Sequence, residues 1–317
     1  MRRILLLGAG NLGSRYLQGL ALLEEKFLIY VVDPSSASLS AARTRWNEAI
    51  GSTGQEIICL TSLDGVPKHL ALVIIATPAS CRSQVVDEIS KNFVVSYWVL
   101  EKVLAQSSRQ VSDILEFLEG GSDVWVNTSR RLMAWHQEIR SQINLSIDQP
   151  LRVRVAGGAW GLGCNAIHFI DLVCWWTGAS VEVVDCRRLR DWKPSKRSGF
   201  QEVFGTLDVS FHDGSSLELQ CDQSDDQLLI EVETSQGNWV IKEAAGEAVG
   251  PNGKVIFGKL SFQSDLTAPL VDQILTAGRC SLPCLADSAA QHHLLLNALL
   301  QHWNNSQSRE DLVVPIT

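Results

Sequence analysis

Apolar residues follow two patterns along this chain. From residue 4 to residue 126, short and wholly apolar runs alternate with amphipathic stretches. The pattern predicts strands over 4–7, 28–32, 70–76, 94–100 and 123–126, with helices over 11–23, 38–49, 82–91 and 107–119 between them. Strands that are apolar at every position belong in a parallel sheet covered on both faces, and the intervening helices supply the cover. Beyond residue 131 the period changes. Helices are predicted over 131–143 and 166–176, the second ended by Gly178, and alternating strands over 151–156, 181–186, 203–211, 216–220, 228–234, 239–242 and 255–257. Turn-forming runs such as His212-Asp213-Gly214 and Gln236-Gly237-Asn238 separate several of them, as antiparallel hairpins require. Two further helices, over 266–277 and 287–303, close the chain. The fold class predicted is α/β: a doubly wound parallel sheet, then an α+β domain with a mostly antiparallel sheet.

A length of 317 residues is itself an argument for two domains, and the composition is that of an ordinary globular protein. The net charge of −8 excludes a general nucleic-acid binder, which needs a basic face to displace counterions. No apolar run approaches the roughly 20 residues that span a bilayer. The start, Met1-Arg2-Arg3 followed by four apolar residues, superficially resembles a signal peptide. Its apolar run is too short and breaks at Gly8-Ala9-Gly10, so a buried first strand is the better reading, and a cytoplasmic location is expected. The eight cysteines contain no Cys-x-x-Cys pair. Cys280 and Cys284 flank Pro283 without a second ligand pair nearby, so free thiols are expected and no metal. His292 and His293 lie in a helix with no carboxylate at a ligand spacing and are assigned to packing or surface.

The strongest local signal is Gly8-Ala9-Gly10-Asn11-Leu12-Gly13, a G-x-G-x-x-G run between an apolar strand and a helical pattern. Gly8 permits a tight turn, Gly10 lets a pyrophosphate reach the backbone, and Gly13 allows close helix–strand packing, while the helix that follows offers unpaired N–H groups to phosphate. Asp33 ends the second strand, where a carboxylate meets the hydroxyls of an adenosine ribose. It also begins an Asp-Pro turn with Pro34, which is an alternative reason for its presence. A carboxylate here repels a 2′-phosphate, which favours NAD; Ser35 and Ser36 are hydroxyls that leave NADP possible. Residues 1–127 thus read as a Rossmann NAD(P)-binding domain. Residues 128–317 read as a substrate and oligomerisation domain, with the last helices free to pack back on the first.

Four further pieces, taken in order, carry a family resemblance: Ala76-Thr77-Pro78 after a strand, Glu101-Lys102 after the next, Asn127-x-x-Arg130-Arg131 after another, and a glycine-rich segment leading to His168-x-x-Asp171. With the glycine motif, they resemble the glucose–fructose oxidoreductase/inositol dehydrogenase/MocA group over nearly the whole chain. The resemblance implies a nicotinamide-dependent oxidoreductase that moves a hydride to or from a hydroxyl or carbonyl carbon of a sugar, sugar acid or nucleotide sugar. It implies Lys102 and His168 as catalytic residues, Asn127, Arg130, Asn165 and Asp171 as substrate contacts, and Thr77, Pro78 and Glu101 as further cofactor contacts. Lys102 alone reads as easily as half of a surface ion pair, and His168 as a core histidine on an apolar helix. A lysine ammonium at a strand end can stabilise developing alkoxide charge, and a histidine can exchange the hydroxyl proton. Two positions depart from the family form: Val103 stands where proline usually follows the Glu-Lys pair, and Cys164 stands where an aspartate usually precedes the histidine by four. Asn165, Asn127 or Arg130 are candidates to replace the missing hydrogen bond.

The run Asn165-Ala166-Ile167-His168-Phe169-Ile170-Asp171 also resembles members that act on acidic nine-carbon sugars and other surface glycans. Arg187, Arg188, Arg190, Lys193, Lys196 and Arg197 crowd one stretch that reads as a loop, which suggests an anionic substrate; a solvated loop or subunit contact is the alternative. Other functions open to the same family are a glycosidase or epimerase that oxidises transiently with tightly bound NAD, and a non-catalytic cofactor-sensing regulator. Expected partners are a sugar-type small molecule and a second copy of the chain through the C-terminal sheet, with no nucleic acid and no membrane.

Overall fold

The computed structural model describes residues 1–49, 55–144 and 149–317. They form two compact units. The first comprises Met1–Leu104, Ser112–Ser129 and Ser261–Leu285; the second comprises Ala105–Val111, Arg130–Leu260 and Ala286–Thr317.

The first unit is built on six strands: β1 (Arg2–Leu7), β2 (Phe27–Val32), β3 (Glu56–Leu60), β4 (His69–Ile75), β5 (Val94–Leu100) and β6 (Asp123–Val126). All neighbouring pairs run parallel, in the order β3-β2-β1-β4-β5-β6. The chain therefore starts in the middle of the sheet, winds out to one edge, returns across β1 and winds to the other, the doubly wound order. Ile4, Leu5, Leu6, Leu72, Val73, Val99 and Leu100 are wholly buried, which explains why these strands are apolar at every position. Helices α1 (Asn11–Leu20), α2 (Ser36–Ala49), α3 (Ala79–Asn92) and α4 (Ser108–Phe117) fall between the strands. Helix α1 stops at Leu20, a turn earlier than its apolar pattern suggests, and Leu22 is exposed. Strand β3 has no counterpart in the sequence reading: it is a short edge strand, half exposed, so its apolar content is diluted.

The second unit carries a nine-stranded, mostly antiparallel sheet. Its members are β7 (Arg152–Gly157), β8 (Val181–Asp185), β9 (Leu189–Pro194), β10 (Gln201–Phe211), β11 (Ser216–Cys221), β12 (Leu229–Thr234), β13 (Gly237–Lys242), β14 (Glu247–Val249) and β15 (Val255–Phe257). The order is β15-β14-β13-β12-β7-β11-β10-β8, with β9 also on β10; only β7 and β11 pair in parallel. A 3-10 turn at Ser129–Leu132 precedes α5 (Ala134–Asn144), so the predicted helix over 131–143 is two pieces that meet at Met133. Helix α6 (Leu162–Thr177) packs on β10 and β11 and ends on Gly178 in the left-handed conformation, as expected. Along β10, Val203, Leu207, Val209 and Phe211 point inward and alternate with half-exposed residues. The opposite face of the sheet is a charged ladder. Arg154 donates to Glu218, Glu231 and Gln220, and Arg188 pairs with Asp208 and Glu218.

The basic stretch after residue 186 is a correction. It is not a loop: Leu189–Pro194 forms β9, antiparallel to β10. Leu189 is buried, and the Trp192 indole donates to His302 Nδ1 at 2.9 Å and stands edge-on to Trp303. The alternating charges concealed two inward-facing anchors.

Helix α7 (Gln263–Ala277) returns to the first unit and packs on α1, whereas α8 (Leu285–Gln307) belongs almost wholly to the second. The α1–α7 contact is close because Gly19 has no side chain. A Cβ there would stand 2.5 Å from Thr267 Cβ and 2.6 Å from the Ser264 carbonyl oxygen. Alanine gains about 1 kcal/mol in helix propensity over glycine, but overpacking against backbone costs about 1–3 kcal/mol. Gly19→Ala is therefore expected to lower stability in urea unfolding; an increase would show that α7 yields freely.

Candidate functional site

The glycine run divides its labour by position. Gly8 has φ +93°, and a Cβ on it would meet the Ala76 carbonyl at 2.9 Å. A Cβ on Gly13 would lie 1.8 Å from the Gly8 carbonyl oxygen, so the start of α1 rests on the turn itself. Nothing stands within 4 Å of where a Gly10 Cβ would be. Gly10 is the N-cap of α1 and supplies no side-chain hydrogen bond, while Asn11 and Leu12 are exposed beside it. Two of the three glycines are thus required by packing, and the third leaves approachable backbone.

Asp33 follows β2. Its Oδ2 accepts from the Ala9 N–H at 2.7 Å and its Oδ1 from the Ser35 N–H at 2.8 Å. The carboxylate is therefore fixed against the glycine turn, and the Asp-Pro turn reading is satisfied at the same time.

The loops after β4 and β5 hold the next residues. Thr77 and Pro78 follow β4, with Pro78 the N-cap of α3. Thr77 Oγ1 is buried without a hydrogen-bond partner among the described residues. Arg82, in the first turn of α3 and 2% exposed, donates to the carbonyls of both Thr77 and Val103, so one guanidinium ties the two loops together. Glu101 and Lys102 follow β5, Lys102 is half-buried, and the Lys102–Val103 peptide is cis.

Glu101 is buried and does not stand alone. Its Oε1 accepts from Tyr16 Oη at 2.5 Å and from Asn127 Nδ2 at 2.6 Å, and Asn127 Nδ2 also lies 2.8 Å from Gln263 Oε1. Burial first, then the Glu101 charge, raises the Tyr16 phenol well above its ordinary range, so it remains a donor. Asn127 Oδ1 is buried without a partner among the described residues. Tyr16, Arg82 and Gln263 carried no sequence signal. Tyr16 reads as one more apolar position of α1, and the other two sit in helices without a motif.

In the second unit, the Arg130 guanidinium forms a two-pronged pair with Glu243, at 2.8 Å and 2.7 Å, and His136 Nε2 lies 2.9 Å from the same carboxylate. Burial opposes ionisation of Glu243, but Arg130 and His136 overcome it and hold the carboxyl down at about 2. Burial lowers His136, so it is neutral at pH 7. Arg131 makes the matching fork to Asp171, at 2.8 Å and 2.5 Å, with Asp171 only 1% exposed. Arg130 and Asp171, expected at the substrate, thus each engage a partner of opposite charge, Glu243 buried and Arg131 half-buried. Glu243 and His136 had no detectable motif.

His168 is half-buried on α6, four residues after Cys164 and three after Asn165, which places all three on neighbouring positions of one helix face. Asn165 Nδ2 donates to the Trp160 carbonyl at 2.8 Å. Cys164 Sγ donates to Glu202 Oε1 at 3.3 Å, so a carboxylate from β10 lies against the position where the family form has an aspartate.

No family model matches this sequence, and no curated protein does. Solved structures match it over nearly their full length. An oxidoreductase from Agrobacterium radiobacter, in complex with NAD+, L-tartaric acid and magnesium, aligns with a TM-score of 0.71 over 98% of each chain at 15% identity. The UDP-N-acetylglucosamine 3-dehydrogenase of Acidithiobacillus ferrooxidans aligns with a TM-score of 0.69 over 94% of this chain and 95% of its own, also at 15% identity. Scyllo-inositol dehydrogenase from Lactobacillus casei gives 0.68 over 95% and 97%, at 15% identity. The chain has the fold of these dehydrogenases. The resemblance read from scattered motifs is borne out at the level of the fold, for the parallel sheet and for the antiparallel one. Among the described residues of this dehydrogenase fold, no helix is long and apolar enough to cross a membrane.

The Glu243 cluster makes a stability prediction. Its carboxyl titrates at about 2 folded against an ordinary 4.5, so its contribution is complete above the ordinary value and is lost as pH falls toward 2. Glu243→Gln should flatten the fall in urea stability between those limits; equal acid slopes would reject the assignment. Arg130→Ala leaves the buried carboxylate with His136 as its hydrogen-bond partner and no forked cation, and should cost about 3–5 kcal/mol at pH 7.

Proposed function

We propose that the chain is an NAD-dependent oxidoreductase acting on a sugar or sugar acid. The observation that carries this is the glycine turn: Gly8 and Gly13 are closed by packing, Gly10 is open, and Asp33 is held against the same turn. The α1 N-terminus offers N–H groups to a pyrophosphate, and the second lone pairs of Asp33 suit ribose hydroxyls. The buried, unpartnered Thr77 Oγ1 and the exposed Leu12 suit the remainder of a dinucleotide. The fold match to an oxidoreductase and to a gentamicin-biosynthesis protein, both solved with NAD, supports the same reading.

When bound, NAD supplies the acceptor or donor of a hydride. Lys102 hydrogen-bonds the reacting oxygen and stabilises alkoxide character as it develops. His168 exchanges the hydroxyl proton. Glu101, fixed by Tyr16 and Asn127, positions the strand end that bears Lys102. Asp171 holds Arg131, and Arg130 is held by Glu243, so these residues shape the substrate side through the groups they fix. A nucleotide sugar and a role in surface-glycan synthesis are the finer reading suggested by the motif around His168. The eight cysteines form no disulfide among the described residues, which accords with a reducing, cytoplasmic setting. The open sheet face, where Val183 is 50% exposed, is the surface we assign to self-association.

If Asp33 binds the ribose, NAD(H) should bind at least about tenfold more tightly than NADP(H), roughly 1.4 kcal/mol, and Asp33→Ala should narrow the gap. Equal affinities in a fluorescence titration would remove the argument. Lys102→Ala and His168→Ala should each lower turnover by about 100-fold or more in a screen of sugar acids and nucleotide sugars, with NAD affinity kept. Near-normal turnover in both, with unchanged thermal unfolding, would reject the catalytic roles.

A further inference from the structure

The basic residues that follow β8 have two different fates. Arg187 pairs with Asp185, and Arg188 pairs with Asp208 and Glu218 on the charged face of the sheet. Among the described residues, Lys196 and Arg197 have no such carboxylate. They are exposed and line a cavity of about 450 Å³ in the second unit. Its other walls include Trp160, Phe200, Asn165 and Glu202. Arg197 lies over the Phe200 ring at 5.3 Å, and a guanidinium fork matches the geometry of a planar anion. Glu202 stands apart from the two cations in role. Its carboxylate rests on Cys164 and would lie 3.4 Å and 3.5 Å from a Cβ at Gly161, the N-cap of α6, where the helix dipole favours negative charge. The cavity thus combines uncommitted cations, a carboxylate able to accept from hydroxyls, and aromatic walls. Cys164 and Asn165 reach it from the same helix that carries His168 one turn further on.

We infer that this cavity is a specificity subsite for a sugar bearing an anionic substituent: Lys196 and Arg197 hold the carboxylate or phosphate, and Glu202 and Asn165 take ring hydroxyls. The inference rests on the oxidoreductase reading for its placement in the reaction, and it narrows the substrate class. It also moves the source of anion recognition away from Arg188, which the sheet has already neutralised.

The test is a calorimetric titration of the NAD-loaded protein with three probes, D-glucose, D-glucuronate and D-glucose 6-phosphate. At least one anionic probe should bind about tenfold or more tightly than D-glucose, and which one does so separates carboxylate from phosphate. The double variant Lys196→Gln/Arg197→Gln should erase that advantage and leave D-glucose unchanged, and Arg188→Gln should preserve it. Glu202→Ala should weaken all three probes alike; unchanged binding would remove Glu202 from the subsite. Absence of any anionic preference, or a preference that survives the double variant, overturns the inference. Nicotinamide absorbance is followed in parallel. A charge preference with no reduction of NAD by any sugar would sink the oxidoreductase reading and leave the subsite standing. Reduction of NAD with kinetics indifferent to the double variant would do the reverse.

Discussion

A guanidinium sealed from water must find acceptors, and Arg82 finds them on two loops at once. Its bonds to the carbonyls of Thr77 and Val103 join the ends of β4 and β5, the two strands that deliver Thr77-Pro78 and Glu101-Lys102. Loss of either carbonyl would remove one acceptor of a buried guanidinium, at a cost of about 1–3 kcal/mol. The loops are therefore far from free to drift. The phenol of Tyr16 is drawn into the same region, where the charges of Arg82 and Glu101 act on it in opposite directions. A half-buried lysine needs such a frame if it is to meet a reacting oxygen within hydrogen-bond distance, since small misplacement is costly in rate.

The second unit solves a similar problem with pairs. Glu243 and Asp171 are almost entirely buried, and each is matched by a forked arginine from the segment that follows β6. Buried pairs add little net stability over apolar packing, yet they penalise any arrangement that separates them. Arg130 and Arg131 are adjacent in sequence, and their two forks fix the direction of the 3-10 turn that leads into α5. Arg131 also stands over Trp175, and Asp171 adds to the burial that pushes the Cys174 thiol up to about 12, which keeps that thiol unreactive.

The parallel sheet was legible because its strands are buried on both faces, and that requirement writes itself as uninterrupted apolar runs. The edge strand β3 escaped because an edge makes no such demand. Strand β9 escaped for a different reason: its charges face water and only Leu189 and Trp192 turn inward, so the charge pattern outweighed the period. In the site, the glycine turn and Asp33 were visible because the backbone itself imposes glycine at Gly8 and Gly13. Tyr16, Arg82, Glu243 and Glu202 were not visible. Each owes its place to a partner at least 20 residues away in the chain, such as Arg82 with Val103 or Glu243 with Arg130, and no local spacing encodes such a meeting.

The contrast among the three glycines reaches beyond cofactor geometry. Packing polices Gly8 and Gly13, since any side chain there collides with backbone, but it is indifferent to Gly10, where a methyl group would project into open space. A population of variants selected only for solubility and expression would therefore lose the first and third positions from its tolerated set and keep the second. Residue 10 is thus the place in the motif where packing sets no limit on the side chain.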